Sequence, residues 1–322
     1  MYDFKYDIVG IDMPCLDLNV SVGAFPKPND YMRIDQYSWQ GGGRVATGLV
    51  AAARLDAKCA IIGAVGDDFH GRFCVKDFER HGVDTQAFYV DPTAITPLSV
   101  VVSNRESNGR SILSHWGDTA LPPLDDACRR MIEQAKYLFL AYTGKIHAEA
   151  ARIAHAAGVK VLMDADDTSQ AMMDLLPIID VFIASEYFYK NRYTGTDYET
   201  HLRELIGLGP QIAVFTLGEK GCVGLGPEGY FELPAFAVDV VDTVGAGDVY
   251  HGAFAAALVQ GMGAKEAARY ASATAAIKCT RIGGRAGIPD NATVQQFLRD
   301  GTIDYTEIDR RVVFYQRGLE HV

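Results

Sequence analysis

The chain has 322 residues, 48% hydrophobic and 22% charged, an ordinary globular composition long enough to bury a sizeable core as one domain. Its formal net charge of −11 argues against nucleic acid or an anionic membrane as partner, both of which need basic surface, but not against an anionic ligand in a locally basic pocket. Six scattered cysteines with no C-x-x-C pair suit reduced thiols in a cytoplasm better than a disulfide framework or a zinc site.

From the start, MYDFKYDIVGID has no basic stretch leading into a long apolar run, so no signal peptide is read. No uncharged apolar run approaches the ~20 residues of a membrane span, and a soluble, cytoplasmic protein is expected. YDIVGI (6–11) reads as a buried strand. Residues 17–39 follow with no helical period and read as strands joined by Pro-, Asn- and Gly-bearing turns. A helical pattern covers 43–56, a strand 57–66 and a second helix 71–82. Residues 95–116 again lack helical spacing, and SNGR (107–110) is a hairpin signal. Helix 123–135, strand 136–144, helix 146–158 and strands 160–166, 180–185 and 212–218 come next, then two Ala-rich helices over 246–260 and 264–281. Strands alternating with helices predict an α/β fold with a mostly parallel sheet covered on both faces. The two β-segments predict a small second sheet over one edge, a lid or a plain structural flap.

The stretch VVDTVGAGDVYHGAF (240–254) carries the chemistry. A helix start leaves backbone N–H groups unpaired and bears about half a positive charge. Glycines there let an anion approach the amides, so Gly245, Ala246 and Gly247 read as an anion cradle. Asp248 follows in the first turn. It could simply complement the helix dipole, worth ~0.3–1 kcal/mol. An anion on the same amides would repel it, an arrangement typical of active sites. It makes sense if the anion is a transferring phosphoryl group and Asp248 takes the proton of the attacking hydroxyl. His251, one turn on, reads as a packing or solvent-facing residue. MDADD (163–167) ends a strand where α/β proteins bind ligands, making Asp164 a modest candidate for a water-mediated metal contact.

DTVGAGD with its following helix closely resembles the C-terminal signature of the ribokinase (PfkB) family of sugar kinases, and GGGRVATGLVAAARLDAKCAIIGAVGDDFHG (41–71) resembles its N-terminal one. The likeness spans nearly the whole chain, because the β-insertions fall where that family has its lid. It implies a ribokinase-like three-layer α/β/α domain over 1–322, with lid segments near 17–39 and 95–116. It also implies Asp248 as the base, the amides of Gly245, Ala246 and Gly247 as the anion hole, and Asp242 and Thr243 as support for metal and phosphates. Asp17 matches the sugar-binding aspartate, and Gly42 and Gly43 match the pair that lets substrate approach the backbone. Asp12 lies close by at a position usually small in relatives. TLGEKG (216–221) implicates Thr216, Gly218 and Gly221 on the nucleotide side, and SATAAIKCTRIGGRAGIP (272–289) implicates Ser272 and Gly283.

Three positions depart from the family pattern. SEYF (185–188) stands where Asn-x-x-Glu helps organise Mg²⁺, leaving Glu186 as its substitute. Thr47 replaces an asparagine, and Arg44 follows the glycine pair where many relatives are small. Arg44 would either bind an anionic group of the substrate or pair with a protein carboxylate. Several stretches look closest to the sulfofructose kinase and ketohexokinase-like branch, although no sulfonate pocket can be named. The resulting expectation is ATP- and Mg²⁺-dependent phosphorylation of a primary hydroxyl of a small sugar, a ketose first, with a monovalent cation left open. A kinase of an anionic sugar or nucleoside is the alternative, and a non-catalytic binding protein a further one. Exposed lid strands offer edges that two subunits can share, so a homodimer is expected.

Overall fold

The computed structural model describes residues 4–25, 27–29, 31–104 and 109–318. Its strands in chain order are β1 (Tyr6–Asp12), β2 (Leu16–Val22), β3 (Gln36–Gly41), β4 (Cys59–Gly66), β5 (Asp84–Asp91), β6 (Leu98–Asn104), β7 (Gly109–His115), β8 (Ala135–Leu140), β9 (Lys160–Ala165), β10 (Val181–Ser185), β11 (Ile212–Thr216), β12 (Cys222–Gly226) and β13 (Gly229–Leu233). The helices are α1 (Arg44–Arg54), α2 (Phe69–Arg80), α3 (Asp126–Glu133), α4 (Lys145–Ala157), α5 (Gln170–Leu175), α6 (Glu186–Arg192), α7 (Tyr198–Ile206), α8 (Ala246–Val259), α9 (Ala264–Lys278), α10 (Asn291–Asp300) and α11 (Thr306–Gln316).

The buried apolar runs pair into one sheet in the order β13-β12-β11-β10-β9-β8-β1-β4-β5. It is parallel from β11 to β5, with β12 and β13 added antiparallel at one edge. Side chains alternate across it. Ile8 joins a core layer with Leu49, Val249 and Phe254 of α1 and α8, whereas Val9 and Ile11 join the opposite layer with Ala150 of α4 and Phe188 of α6. Two apolar layers on a parallel sheet make the three-layer α/β/α architecture that the alternating pattern predicts. No helix among the described residues is long and apolar enough to cross a membrane.

The second sheet has the order β3-β2-β6-β7 and is built from the two non-helical segments. β2 runs antiparallel to β3 and parallel to β6, and β6 to β7 is antiparallel with Asn104 opposite Gly109. That pairing brackets the expected hairpin turn, part of which (105–108) lies outside the described residues. Seven elements of the C-terminal half (α5, α6, α7, β12, β13, α10 and α11) and the edge strand β5 have no counterpart in the sequence reading. β5 and β13 are only partly buried along their length, so their apolar contrast is weak.

Candidate active site

Gly245 sits at φ 71°, and a Cβ there would stand 2.8 Å from Gly284 Cα. Only glycine turns the chain at this point without strain. α8 starts at the next residue, and its N-terminus borders one of two clefts. Ala246 and Gly247 line the first cleft, and Gly247 has open space where a side chain would be. The Ala246 N–H is turned to Thr243 O at 3.2 Å. Asp248 is partly buried in the first turn of α8. Burial and the nearby Asp164 push its carboxyl up to about 8; Arg44 opposes the rise, and Asp12 and Asp166 add to it.

The second cleft, about 620 Å³, opens under the small sheet at the C-terminal ends of β1, β8 and β9. Asp12, Gly43, Arg44, Ser99, Tyr142 and Asp166 are among its walls. Asp12 is almost wholly buried and accepts from the N–H groups of Met13 (2.8 Å) and Ala46 (2.9 Å). Burial raises its carboxyl to about 6 against the pull of those amides. Asp17 accepts from Cys15 Sγ at 3.2 Å, and burial raises it likewise to about 6. The glycine pair makes room for both acids. A Cβ on Gly42 would overlap the Asp17 carboxylate, and one on Gly43, at φ 100°, would stand 2.9 Å from Asp12 Oδ2. Asp12, Asp17, Gly42 and Gly43 are thus brought together, with Asp12 and Gly43 on the cleft wall.

Arg44 is spoken for by the protein. It clasps Asp164 with both Nε (3.0 Å to Oδ2) and Nη2 (2.6 Å to Oδ1), reaches Asp166 at 3.1 Å, and lies 5.7 Å from the Tyr142 ring centre. Thr47 is buried on the far side of α1, where its Oγ1 accepts from Arg285 Nε at 3.4 Å. Its short side chain is not among the cleft walls.

The first cleft, about 500 Å³, is walled by Thr216, Gly218, Gly221, Thr243 and Ser272, five of the positions expected on the nucleotide side. Phe236, Ala275 and Ala276 supply apolar wall, which suits a flat base. Gly283 stands behind it instead. Its N–H donates to Asp242 Oδ2 at 2.8 Å, and its φ of 80° packs it against the Gln40 amide. Asp242 is buried, and its carboxylate also accepts from Val244 N–H and Ser103 Oγ, both at 3.0 Å. Those donors use the oxygens that a directly bound metal would need. Glu186 opens α6 and pairs with Lys190 (2.9 Å) and Lys220 (3.2 Å), which hold its carboxyl below the usual range.

Several participants escape sequence reasoning. Ser103 and Arg110 come from the small sheet, Arg110 Nη1 lying 3.5 Å from Thr243 Oγ1. His251 takes the packing place of the two the sequence allowed and is buried. Its Nδ1 lies 2.6 Å from Gly247 O and its Nε2 3.3 Å from Asp164 Oδ1, behind Asp248. His147 borders the larger cleft with both ring nitrogens buried and unpaired, held neutral by burial that lowers it to about 4. Trp116 is 84% exposed at that cleft, whereas Trp39 packs beside Leu16 and Tyr315. Only contacts far apart in sequence distinguish Ser103, Arg110 and His147 from their neighbours, so no local signal could have singled those three out.

The chain matches known proteins along most of its length. The family model described as "pfkB family carbohydrate kinase" covers residues 5–291. A ribokinase of Haemophilus influenzae is 28% identical over 289 residues, spanning 87% of this chain and 94% of that protein. A 5-dehydro-2-deoxygluconokinase of Bacillus subtilis is 27% identical over 319 residues, spanning 91% and 96%. Among solved structures, a ribokinase of Arabidopsis thaliana complexed with ribose and ATP superposes with a TM-score of 0.78 at 23% identity, covering 91% of this chain and 99% of that one. A putative ribokinase of Agrobacterium tumefaciens gives a TM-score of 0.81 at 23% identity, covering 92% and 98%.

Proposed function

Since the chain belongs to the pfkB family of carbohydrate kinases, we propose that it transfers the γ-phosphoryl group of ATP to a primary hydroxyl of a small neutral sugar, a ketose, with Asp248 as base. One observation carries the reading. Asp248 links the two clefts through its neighbours: Ala246 and Gly247, beside it in the first turn of α8, wall one, while Asp12, Arg44 and Asp166, whose charges it feels, wall the other. A carboxylate so placed would have the acceptor on one side and the donor on the other.

The sugar would lie on Asp12, Asp17 and the Gly42–Gly43 backbone, with His147 free to bond a further hydroxyl. The nucleotide would lie along Thr216, Gly218, Gly221 and Ser272, its phosphates toward Thr243 and the Gly245–Gly247 turn. As the sugar oxygen attacks the γ-phosphorus, its proton passes to Asp248 and ADP leaves with the electrons of the broken bond. Fixed dipoles at the start of α8 then face the charge on the transferring group. Mg²⁺, when bound with ATP, would neutralise phosphate charge, and the carboxylates of Asp166 and Glu186 would offer it hard oxygen donors through water, Asp164 having both oxygens engaged by Arg44. Asp242 serves better as the brace of the turn. Arg110 on β7 brings a further cation to the phosphate side.

Neutrality rests on Arg44. Its guanidinium is matched by Asp164 and Asp166, so it presents no unpaired charge for a phosphate or carboxylate on the substrate. Choice of a ketose rests on the likeness of the signature stretches to the ketohexokinase-like branch. The ribokinase name among the relatives makes an aldopentose the first competitor. A coupled ADP-release screen over ketoses, aldoses, nucleosides, phosphosugars and sugar acids tests the whole reading. Highest kcat/KM on a neutral ketose is expected. Turnover confined to phosphorylated or acidic sugars would overturn neutrality, and a preference for ribose would overturn the ketose. Asp248→Asn should lose about 10²–10⁴-fold in kcat while still binding ATP, and a variant keeping a third of wild-type turnover would remove Asp248 from its role.

A further inference from the structure

We infer that Lys278 is a built-in monovalent cation of the phosphate-binding turn, so that this kinase binds nucleotide without a soluble potassium or sodium ion. The inference rests on the reading of Gly245–Gly247 as the phosphate site. Lys278 lies in the last turn of α9 and is fully buried. Its Nζ donates to the main-chain carbonyls of Asp242, at 2.9 Å, and of Val244. An ammonium has three donors and no acceptor, so converging carbonyl oxygens suit it. Carbonyl oxygens are also the ligands that replace the hydration shell of a potassium ion. Two such oxygens, two residues apart and aimed at one buried point, would suit a dissolved ion. Here a tethered ammonium occupies that point.

The backbone held this way leads directly into the turn. Val241 and Asp242 donate their N–H groups to Cys279 O at 2.8 and 3.1 Å, so the strap before the turn is fastened to the end of α9. The Asp242 side chain then grips Val244 N–H and Gly283 N–H. One residue after Val244, Gly245 takes its left-handed conformation and α8 begins. Without the ammonium, the carbonyls of Asp242 and Val244 would face each other with no donor between them. Their repulsion would loosen the strap that sets out the Gly245–Gly247 amides. Lys278 is therefore a positioning residue. It acts on the phosphates through the loop and by its positive charge.

Titration calorimetry with Mg²⁺ and the non-hydrolysable analogue AMP-PNP tests this on the intact protein, in potassium chloride against tetramethylammonium chloride of equal ionic strength. The wild-type Kd should agree within about twofold between the two salts. Lys278→Ala should bind about tenfold or more weakly in tetramethylammonium, the loss of a charge-assisted contact. It should recover in potassium or methylammonium chloride, whose cations can enter the vacated space. Lys278→Met, which fills that space without charge, should not recover. Wild-type binding that tightens more than about fivefold in potassium would overturn the inference, as would Lys278→Ala binding like wild type or failing to recover with any cation. Should Lys278→Ala not fold, the wild-type comparison decides alone. Gly247→Val separates the two readings. If it binds as wild type, the phosphate site is misplaced; if it loses binding while Lys278→Ala does not, only the role of Lys278 fails.

Discussion

A base that takes a hydroxyl proton works best when its own pKa lies near the working pH. Asp248 gains this from burial and from Asp164, Asp12 and Asp166, which raise it to about 8, while Arg44 restrains it. In the ligand-free enzyme a protonated Asp248 cannot act, so kcat/KM for ATP should rise about tenfold per pH unit on approaching pH 8 and level off above it. Arg44→Met removes the restraining charge and should move that limb to higher pH; an unmoved limb would refute the coupling. The same substitution leaves Asp164 buried beside His251 alone, and should cost about 3 kcal/mol in urea unfolding. Stability at Asp248 has the opposite pH dependence. Its folded pKa lies above the unfolded ~3.9, so its contribution is full below that value and lost as pH rises through about 8. Asp248→Asn should therefore raise the melting temperature at pH 8–9 relative to wild type. A lower melting temperature would mean that the carboxylate is more comfortable in the fold than its neighbours imply.

One hydrogen bond from the small sheet to the loop before α8 bears on motion: Ser103 Oγ on β6 donates to Asp242 Oδ1. Ser103→Ala should leave β1 and β4 as protected from hydrogen exchange as before but loosen β6 by about 1 kcal/mol, the usual worth of such a bond. AMP-PNP and sugar should restore part of that protection. Equal exchange in β6 with and without ligand would tell against its service as a lid. Much of this element layout is legible in the chain. The inner strands of the parallel sheet announce themselves because they are buried on both faces and read as unbroken apolar runs, whereas the edge strand β5 does not. The Gly245 turn does so because only glycine tolerates its φ and the closeness of Gly284. Residues defined by what touches them from afar do not. Arg285 looks like any basic loop residue, yet it is fully buried against Asp77 at 2.6 Å and donates to Gly42 O at 3.0 Å, bracing the sugar-side glycine from behind. Thr47 is turned toward that same guanidinium, which is why its place in the signature says little about the sugar.

At the scale of the molecule, the outer edge of the small sheet is its least finished surface. β7 bonds to β6 on one side, and all seven of its residues are exposed. Ile112 and Leu113 are 54% and 58% exposed, and Arg110 is the only Lys, Arg, Asp or Glu on the strand, which has no proline. Such an edge invites pairing with another strand, and a second copy of the chain is the partner always present. We propose a homodimer joined through the two small sheets. A net charge of −11 per chain makes this edge the more telling, because two acidic chains repel over most of their remaining surface. Sedimentation at micromolar concentration should give twice the mass of one chain, 35.1 kDa. Leu113→Lys should give the single mass, and added salt should tighten the wild-type dimer by screening the repulsion. The pairing also bears on catalysis. His115 ends β7 and Trp116 follows it, and both wall the larger cleft, so a strand stiffened by its twin would hold that wall in place. The Leu113→Lys monomer should then show a raised KM for the sugar with little change in KM for ATP. A wild-type protein that sediments as a monomer would remove the shared edge. A monomeric variant with unchanged sugar KM would leave the dimer standing but detach it from the cleft.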